Sequence, residues 1–381
     1  MKIVIASDSF KDSSSSIEVA NHIEKGILKV FPDAIVVKIS IADGGEGTVD
    51  ALILGAGGRY HTKSAVSPLG ETRNAVFGIL DNGTGIVEMA AASGLPLVPQ
   101  ERRNPMVTTT YGAGQLLKAA MDQGCRSIVI GVGGSATNDG GLGMAQALGV
   151  SFKDAEGREL GYGGGELGKL AAIDMGGLDP LVKDTNIIVA SDVSSPLCGN
   201  KGASAVFGPQ KGADASMVKT LDANLAHLAA VVKCQLGKDL ADVPGAGAAG
   251  GLGYGLMAFC GAQIKSGVET VLDCVDIDKR LVGCNLVITG EGRIDYQSAF
   301  GKVPVGVAKR AKKFNLPVLA IVGGIGEGAE AVYEHGVDSI MSIVNDAMTL
   351  PEAIANVGIL LEEAAERALR MIGIGLVSGM K

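Results

Sequence analysis

Tryptophan is absent from this sequence, and aromatic residues make up only 4% of it. Histidine occurs four times, and no two of the six cysteines stand in a C-x-x-C pair. The spacing typical of a structural zinc site is therefore missing. We expect the cysteines to be reduced thiols, as in a cytoplasmic protein.

Basic residues are fewer than acidic ones. The chain has 33 Lys and Arg against 41 Asp and Glu, which gives a net charge of -8. Nucleic-acid-binding proteins usually present a basic face, so we expect no nucleic acid among the partners. A small anionic substrate remains compatible with this charge, because a local site can be basic on an acidic protein.

Long hydrophobic runs are also missing. Only four apolar residues, 3–6, precede Ser7 and Asp8, which is too short for a secretory signal. The longest uncharged stretch, 243–264, is broken up by glycine, and we interpret it as a buried loop and helix. We therefore expect a cytoplasmic protein without membrane contact. No heptad seam indicates an oligomer, so monomer and homodimer both stay open.

Glycine, by contrast, is abundant, with 57 residues among 381. Only 12 prolines accompany it and no G-X-Y period occurs, which excludes a collagen-like chain. The glycines cluster where hydrophobic runs end. This placement predicts loops whose backbone approaches a ligand closely.

Short apolar runs rich in β-branched residues alternate with helical patterns. Continuous apolar runs are typical of strands buried on both faces, and the alternation predicts an α/β fold with a largely parallel sheet. The predicted strands are 3–6, 35–41, 75–80, 85–89, 127–132, 186–191, 285–289, 317–322 and 339–344. The predicted helices are 17–30, capped by Ser16, then 112–123, 140–148, 217–236, 303–314 and 351–371.

The stretch 58–85 differs from both ends of the chain. Its turn residues at 68–71 and 81–83 predict a β meander, whereas the ends consist of regular βα units. We therefore predict a discontinuous α/β domain formed by residues 1–65 and 285–381. Residues 66–284 would form a second α/β domain inserted into it.

Polar or glycine-rich loops follow five of the predicted strands. Open α/β sheets bind ligands beyond the carboxyl ends of their strands. These loops supply carboxylates for Mg²⁺, cations for phosphate oxygens and glycine-flanked N–H groups, a mixture that suits phosphoryl transfer. Their main residues are Asp8 and Lys11, Asp43 and Glu46, 133–141, Asp192, and Glu291 with Arg293 and Asp295.

Two other readings remain open at this point. Residues 131–136 match the dinucleotide fingerprint G-x-G-x-x-A, with Asp154 and Glu156 at a distance suited to ribose. In so glycine-rich a chain such a match also arises by chance. A dinucleotide oxidoreductase and a non-catalytic binding protein are therefore the alternatives to a phosphotransferase.

Seven longer motifs stand in order along the chain. They are D-S-F-K at 8–11, A-D-G-G-E-G-T at 42–48, E-M-A-A-A-S-G at 88–94, G-V-G-G-S-A-T-N-D-G-G at 131–141, F-G-P-Q-K-G at 207–212, P-G-A-G-A-A-G-G at 244–251 and T-G-E-G-R-I-D at 289–295. Through these motifs the sequence resembles the bacterial class I glycerate kinase family, from residue 1 to about 371. The family usually has Pro where Ser7 stands, a departure that removes no ionisable group.

The resemblance implies ATP, Mg²⁺ and D-glycerate, with 2-phospho-D-glycerate as the product in organic-acid catabolism. It also implies a Rossmann- or flavodoxin-like parallel-sheet domain, discontinuous in sequence, plus an inserted α/β domain, with a cleft between them. Phosphorylation at the 3-hydroxyl and a sugar-acid binding module are the alternatives within this reading.

The site hypothesis divides the candidate residues by role. For glycerate and catalysis they are Asp8, Lys11, Asp43, Glu46, Asp192 and Arg293, with Lys11 on the substrate carboxylate and Arg293 on phosphate. For the metal they are Asp192, Glu291 and Asp295. For ATP they are Gly133, Gly134, Ser135, Asn138, Asp139, Lys211, Gly247 and Gly250. The alternative for the glycines is tight packing between helix and strand.

Overall fold

The computed structural model describes residues 1–11, 13–42, 44–45 and 47–377. The strands are β1 Lys2–Ser7, β2 Ile35–Ser40, β3 Gly58–Val66, β4 Thr72–Leu80, β5 Gly85–Glu88, β6 Ser127–Gly131, β7 Ser151–Lys153, β8 Ala172–Asp174, β9 Asn186–Ala190, β10 Gln263–Lys265, β11 Leu286–Thr289, β12 Arg293–Ile294, β13 Val318–Val322, β14 Gly324–Ile325 and β15 Ser339–Ser342.

The α-helices are α1 Ser16–Val30, α2 Thr48–Ala56, α3 Ala90–Ser93, α4 Tyr111–Asp122, α5 Leu142–Ala147, α6 Ala203–Phe207, α7 Ala215–Leu236, α8 Ala248–Cys260, α9 Gly267–Cys274, α10 Ile277–Leu281, α11 Val303–Lys312, α12 Leu350–Ala355 and α13 Val357–Val377. Short 3-10 helices lie at Leu95–Leu97, Gln100–Arg102, Glu166–Lys169, Pro180–Val182, Pro209–Lys211, Tyr296–Phe300 and Ala329–His335. No helix among the described residues is both long and apolar enough to cross a membrane.

The first of two compact units is built on a five-stranded sheet in the order β15-β13-β11-β1-β2. All neighbours in this sheet are parallel. Helices α1 and α13 pack closely on each other, since a Cβ added at Gly26 would lie 2.3 Å from the carbonyl oxygen of Glu362. Their apolar faces and the sheet form one core, which includes Ile5, Ile23 and Leu361. The unit comprises Met1–Asp43, Asp50–Gly57 and Val268–Lys381.

The second unit carries a six-stranded sheet in the order β10-β9-β6-β5-β4-β3. Strands β10, β9, β6 and β5 run parallel, whereas β3 and β4 form an antiparallel hairpin and β4 pairs antiparallel with β5. This arrangement is the predicted meander followed by parallel βα units. The unit comprises Gly44–Val49 and Gly58–Gly267.

The predicted α/β class is confirmed, and each of the nine predicted strands overlaps an observed strand, with bounds that differ by at most three residues. Two helix details were wrong. The cap of α1 is Ser15, whose hydroxyl and backbone both pair with Glu18, and the predicted helix 351–371 is interrupted at Asn356. The division into domains at residues 65 and 285 stays a prediction.

Candidate functional site

The carboxyl ends of β1 and β11 lie side by side, because the two strands are parallel neighbours. The backbone N–H of Asp8, just after β1, donates to the carbonyl of Gly290, just after β11, at 2.9 Å. A Cβ added at Gly292 would lie 3.6 Å from the backbone nitrogen of Lys11. The first unit thus brings Asp8 and Lys11 against the loop that carries Glu291 and Arg293.

Glu291 is a buried carboxylate with two polar neighbours. Its Oε1 accepts a hydrogen bond from the Ser298 hydroxyl, and its Oε2 lies 3.5 Å from the Lys302 ammonium. Burial raises the pKa of Glu291, while the Ser298 hydrogen bond and the Lys302 charge act to lower it. The carboxylate is therefore held in one orientation in a poorly solvated place.

Asp295 belongs to the same network. Its Oδ1 caps the 3-10 helix Tyr296–Phe300 by accepting from the N–H of Gln297 at 3.0 Å, and it lies 4.0 Å from the Lys302 ammonium. The Asp295 N–H donates to the Ser298 hydroxyl at 3.2 Å. The sequence hypothesis included Glu291 and Asp295 but missed Ser298 and Lys302. The only signal for them was their position between Asp295 and a predicted helix start.

Two exposed cations of this unit stand beside the Glu291 loop. Lys11 and Arg293 are exposed, and within the part of the chain that the structure describes neither makes an ion pair or a side-chain hydrogen bond. The Arg293 side chain lies over Gly326, where an added Cβ would come within 3.0 Å of Nε. Unpaired cations beside a buried carboxylate fit an anionic ligand.

The carboxylates of the first unit are the candidate ligands for a divalent metal. Across residues 1–11, 13–42, 44–45 and 47–377, no three His, Cys, Asp or Glu side chains form a cage. Mg²⁺ in kinases needs only one or two carboxylates plus phosphate and water. Glu291 and Asp295 supply two carboxylates, which meets that number, and both lie within 4.0 Å of the same Lys302 ammonium.

The second unit gathers its candidates at the carboxyl ends of β5, β6 and β9. Glu88, Gly131 and Ala190 stand in register across these strands. Gly44 and Gly45 lie over this edge, because a Cβ at Gly131 would meet the Gly44 carbonyl at 2.5 Å. The candidates Asp43 and Glu46, which flank these glycines, lie outside the described residues.

Asp139 is completely buried inside the loop that follows β6. Its Oδ2 accepts from the N–H and the hydroxyl of Thr110, both at 2.8 Å, and from the N–H of Gly143 at 3.3 Å. Its Oδ1 accepts from the N–H of Gly141 at 3.1 Å. Burial raises the pKa of Asp139, and these hydrogen bonds oppose the rise. Asp139 therefore ties the loop to α4 and α5.

Lys211 is buried as well, at 2% exposure. Its ammonium donates to the Ser135 hydroxyl and to the Thr137 carbonyl, both at 2.7 Å. Burial lowers the pKa of Lys211 to about 7, and the charge of Asp139 acts in the opposite direction. The side chain thus braces the same loop from inside.

The glycine candidates at the start of α8, Gly247 and Gly250, contact protein backbone. A Cβ at Gly250 would lie 2.0 Å from the Thr137 carbonyl, and one at Gly247 would lie 2.3 Å from the Pro196 carbonyl. Residues 249–251 have left-handed backbone angles, including Ala249 at a φ of 53°. This geometry favours the packing alternative for Gly247 and Gly250.

Asp192 follows β9 and is exposed, and its Oδ1 accepts from the N–H of Gly267 at 3.1 Å. It belongs to the second unit, whereas Glu291 and Asp295 belong to the first. A metal site that combines the three stays a prediction. Within the second unit, Gly133, Gly134, Ser135 and Asn138 share the loop that Asp139 and Lys211 hold.

Comparison with known proteins places the chain in a family. A profile of the glycerate kinase family matches residues 3–373. The chain is 51% identical over 382 residues to "Glycerate 2-kinase" of Escherichia coli strain K12, covering 100% of this chain and 99% of the relative. It is 50% identical over 366 residues to "Glycerate kinase" of Bacillus subtilis strain 168, covering 96% of each.

A solved structure agrees with these sequence matches. It is a crystal structure of a candidate glycerate kinase 2 from Salmonella typhimurium LT2, with a TM-score of 0.90 and 45% identity over 99% of both chains. The predicted resemblance is thus confirmed over essentially the whole length.

Proposed function

Because the chain belongs to the glycerate kinase family, we propose that it transfers the γ-phosphoryl group of ATP to the 2-hydroxyl of D-glycerate. The family makes it a kinase, with ATP and glycerate as its substrates. The choice of the 2-hydroxyl is supported by the relative named glycerate 2-kinase, at 51% identity over the full chain. The structural observation that supports the proposal is the position of Lys11 and Arg293 beside the buried Glu291, since neither cation has an ion-pair partner among the described residues.

Residues of the first unit supply the charges that the reaction needs. The Lys11 ammonium pairs with the carboxylate of glycerate, which orients its hydroxyls. Asp8, three residues before Lys11, supplies the carboxylate that accepts the proton of the attacking hydroxyl. The Arg293 guanidinium binds phosphate oxygens as negative charge shifts toward the leaving group.

Glu291 and Asp295 would hold Mg²⁺, which when bound neutralises phosphate oxygens and fixes their positions. Ser298 and Lys302 keep these two carboxylates in place. Asp192 remains a proposed third carboxylate, from the second unit.

The second unit contributes the loop 133–139 for the nucleotide. Gly134, with a left-handed φ of 68°, lets backbone approach a phosphate, and Ser135 and Asn138 add polar groups. Gly133 packs against Gly45, where an added Cβ would lie 2.8 Å from its Cα, and keeps the loop close to that glycine. Because Lys211 and Asp139 are buried and already hydrogen-bonded, we propose that they act by holding this loop in shape.

A coupled assay tests the position of phosphorylation. The protein, ATP, Mg²⁺ and D-glycerate are mixed, and the product passes directly to enolase and pyruvate kinase. Turnover without added phosphoglycerate mutase is the expected result, since enolase accepts only the 2-phosphate.

Turnover that requires mutase would make the 3-hydroxyl the acceptor and reverse the glycerate pose. If the protein binds glycerate but forms no ADP from ATP with either enantiomer of glycerate, the kinase proposal is wrong and a sugar-acid binding module remains. A cytoplasmic location, and a monomeric or homodimeric state, are proposals that fractionation and light scattering would decide.

A further inference from the structure

Four buried polar atoms on adjoining segments of the second unit have no hydrogen-bond partner among the described residues. They are Ser93 Oγ, Arg103 Nε, Thr137 Oγ1 and Asn138 Nδ2. All four can donate a hydrogen bond, and the arginine and asparagine nitrogens can only donate. Buried polar groups are normally paired, so these unpaired donors on adjoining segments point to an acceptor that the protein itself does not supply.

Three of these atoms belong to the loop 133–139 or to a segment hydrogen-bonded to it. Thr137 and Asn138 lie in the loop itself. Ser93 is joined to it, because its carbonyl accepts from the N–H of Ala136 at 3.0 Å. The Asn138 Oδ1 accepts from the Ser204 hydroxyl at 3.3 Å, which fixes the amide with its nitrogen as the unpaired end.

Arg103 lies on a different segment, whose backbone packs beside the same loop and its neighbours. A Cβ added at Gly212 would lie 2.3 Å from the Arg103 carbonyl, and the preceding Lys211 donates to Ser135 and Thr137 of the loop. Further along, the Thr108 hydroxyl donates to the Ala136 carbonyl at 2.9 Å. Segment 103–108 therefore runs along the loop.

No carboxylate among the described residues pairs with Arg103. Its guanidinium cannot lose its proton, it is only partly exposed, and it makes no ion pair or side-chain hydrogen bond within the described chain. The buried carboxylate of Asp139 already accepts four hydrogen bonds. The adjacent Arg102, in contrast, is exposed and paired with Glu71 at 3.2 Å.

We propose that Arg103 binds an oxyanion of a substrate, a phosphate of the nucleotide or the carboxylate of glycerate, together with the unpaired donors of the loop 133–139. The inference rests on the proposed function for the identity of its ligands, and it adds a binding residue that none of the sequence motifs contained. A guanidinium suits this task because its fork of donors matches the geometry of phosphate and carboxylate.

The experiment compares Arg103→Met, Arg103→Lys and the control Arg102→Met with the unmodified protein. Binding of Mg·ADP and of D-glycerate is titrated separately by calorimetry, with thermal unfolding measured for each variant. We expect Arg103→Met to weaken one of the two ligands by about 10- to 100-fold, the range for a lost charge-assisted hydrogen bond. Arg103→Lys should recover part of the loss, and Arg102→Met should bind both ligands normally.

The ligand that weakens identifies the oxyanion: loss confined to Mg·ADP indicates phosphate, and loss confined to glycerate indicates carboxylate. Unchanged binding of both ligands by Arg103→Met overturns the inference. An equal loss of both ligands with a lowered melting temperature in Arg103→Met and Arg103→Lys alike also overturns it, because that pattern indicates a structural role.

If the proposed function is wrong, the unmodified protein will show no turnover in the coupled assay, a result separate from the binding measurements. In that case the same variants are titrated with inorganic phosphate and pyrophosphate. Weaker binding by Arg103→Met alone still supports the oxyanion site, and equal binding by all variants rejects it.

Discussion

The hydroxyl of Ser298 donates a hydrogen bond to Oε1 of Glu291, and both side chains are buried. The same hydroxyl accepts from the N–H of Asp295 at 3.2 Å. One small side chain therefore binds the carboxylate of Glu291 and the backbone of Asp295, the two residues proposed to hold Mg²⁺. Residues that orient metal ligands commonly affect metal affinity and activity by one or two orders of magnitude.

Replacement of Ser298 by Ala should lower kcat by about 10- to 100-fold and raise the Mg²⁺ concentration required for half-maximal rate. It should also lower the free energy of unfolding by about 1–3 kcal/mol, because a buried carboxylate oxygen loses its donor. Ser298→Thr retains the hydroxyl and should recover most of the Mg²⁺ dependence. Steady-state kinetics against Mg²⁺ and urea denaturation measure the two effects.

Thr349→Ala is the matched control for this change. Thr349 caps α12 through Glu352, so its loss should cost about 1 kcal/mol of stability without a change in Mg²⁺ dependence. If Ser298→Ala and Thr349→Ala differ only in stability, Ser298 does not position a metal ligand.

Lys11→Ala should raise the KM for glycerate by more than the KM for ATP. The Lys11 ammonium is exposed and has no partner within the described chain, so its removal takes away a substrate contact and no structural one. A lost charge-assisted bond corresponds to about 10- to 100-fold in KM. Lys183→Ala, another exposed lysine, should change neither KM. A larger effect on the KM for ATP would place Lys11 on the nucleotide instead.

The lowered pKa of Lys211 predicts that the free energy of unfolding depends on pH. Its pKa is about 7 in the folded protein, against an ordinary value of 10.5. Between these values the unfolded chain binds more protons than the folded chain, so the free energy of unfolding should rise with pH. The stabilisation is complete above pH 10.5 and is lost as the pH falls toward 7.

Lys211→Met should remove that rise. Urea denaturation at pH 7, 8 and 9 measures it, with the exposed Lys183→Met as the control that keeps the normal slope. If the free energy of unfolding changes with pH in parallel for Lys211→Met and the unmodified protein, Lys211 stays protonated over this range. That result would contradict the pKa shift expected from its burial.

The fold was predictable because buried parallel strands leave a strong signal, as in the continuous apolar runs 127–132 and 317–322. The clustering of Asp8 and Glu291 was predictable for the same reason, since both follow adjacent parallel strands. Contacts that depend on irregular backbone were not. Ser298 reaches Glu291 only through the 3-10 turn at Tyr296–Phe300, a geometry that no periodicity indicates.

Burial was the second quantity that the sequence did not reveal. A lysine in a loop is usually exposed. The pattern around Lys211 did not indicate that its ammonium is buried and donates hydrogen bonds to Ser135 and Thr137. The glycines of 244–251 were equally ambiguous, because a glycine that approaches a ligand and one that approaches another backbone are identical in sequence.

Substitutions at Gly250 and Gly261 distinguish the stability cost of close packing from the cost of backbone conformation. Both have left-handed φ angles, 69° and 68°, at opposite ends of α8. A Cβ at Gly250 would lie 2.0 Å from the Thr137 carbonyl, whereas one at Gly261 would meet nothing within 4 Å. Gly261→Ala should therefore cost only the conformational strain, about 1 kcal/mol.

Gly250→Ala should cost the same strain plus displacement of the loop at Thr137, together more than about 3 kcal/mol. Because the loop 133–139 is the proposed nucleotide site, the KM for ATP should rise for Gly250→Ala and stay normal for Gly261→Ala. Chemical denaturation and the two KM values decide the matter. Equal stability of the two variants would mean that the loop yields easily to an added methyl group, and then Lys211 and Asp139 could not be holding it rigid.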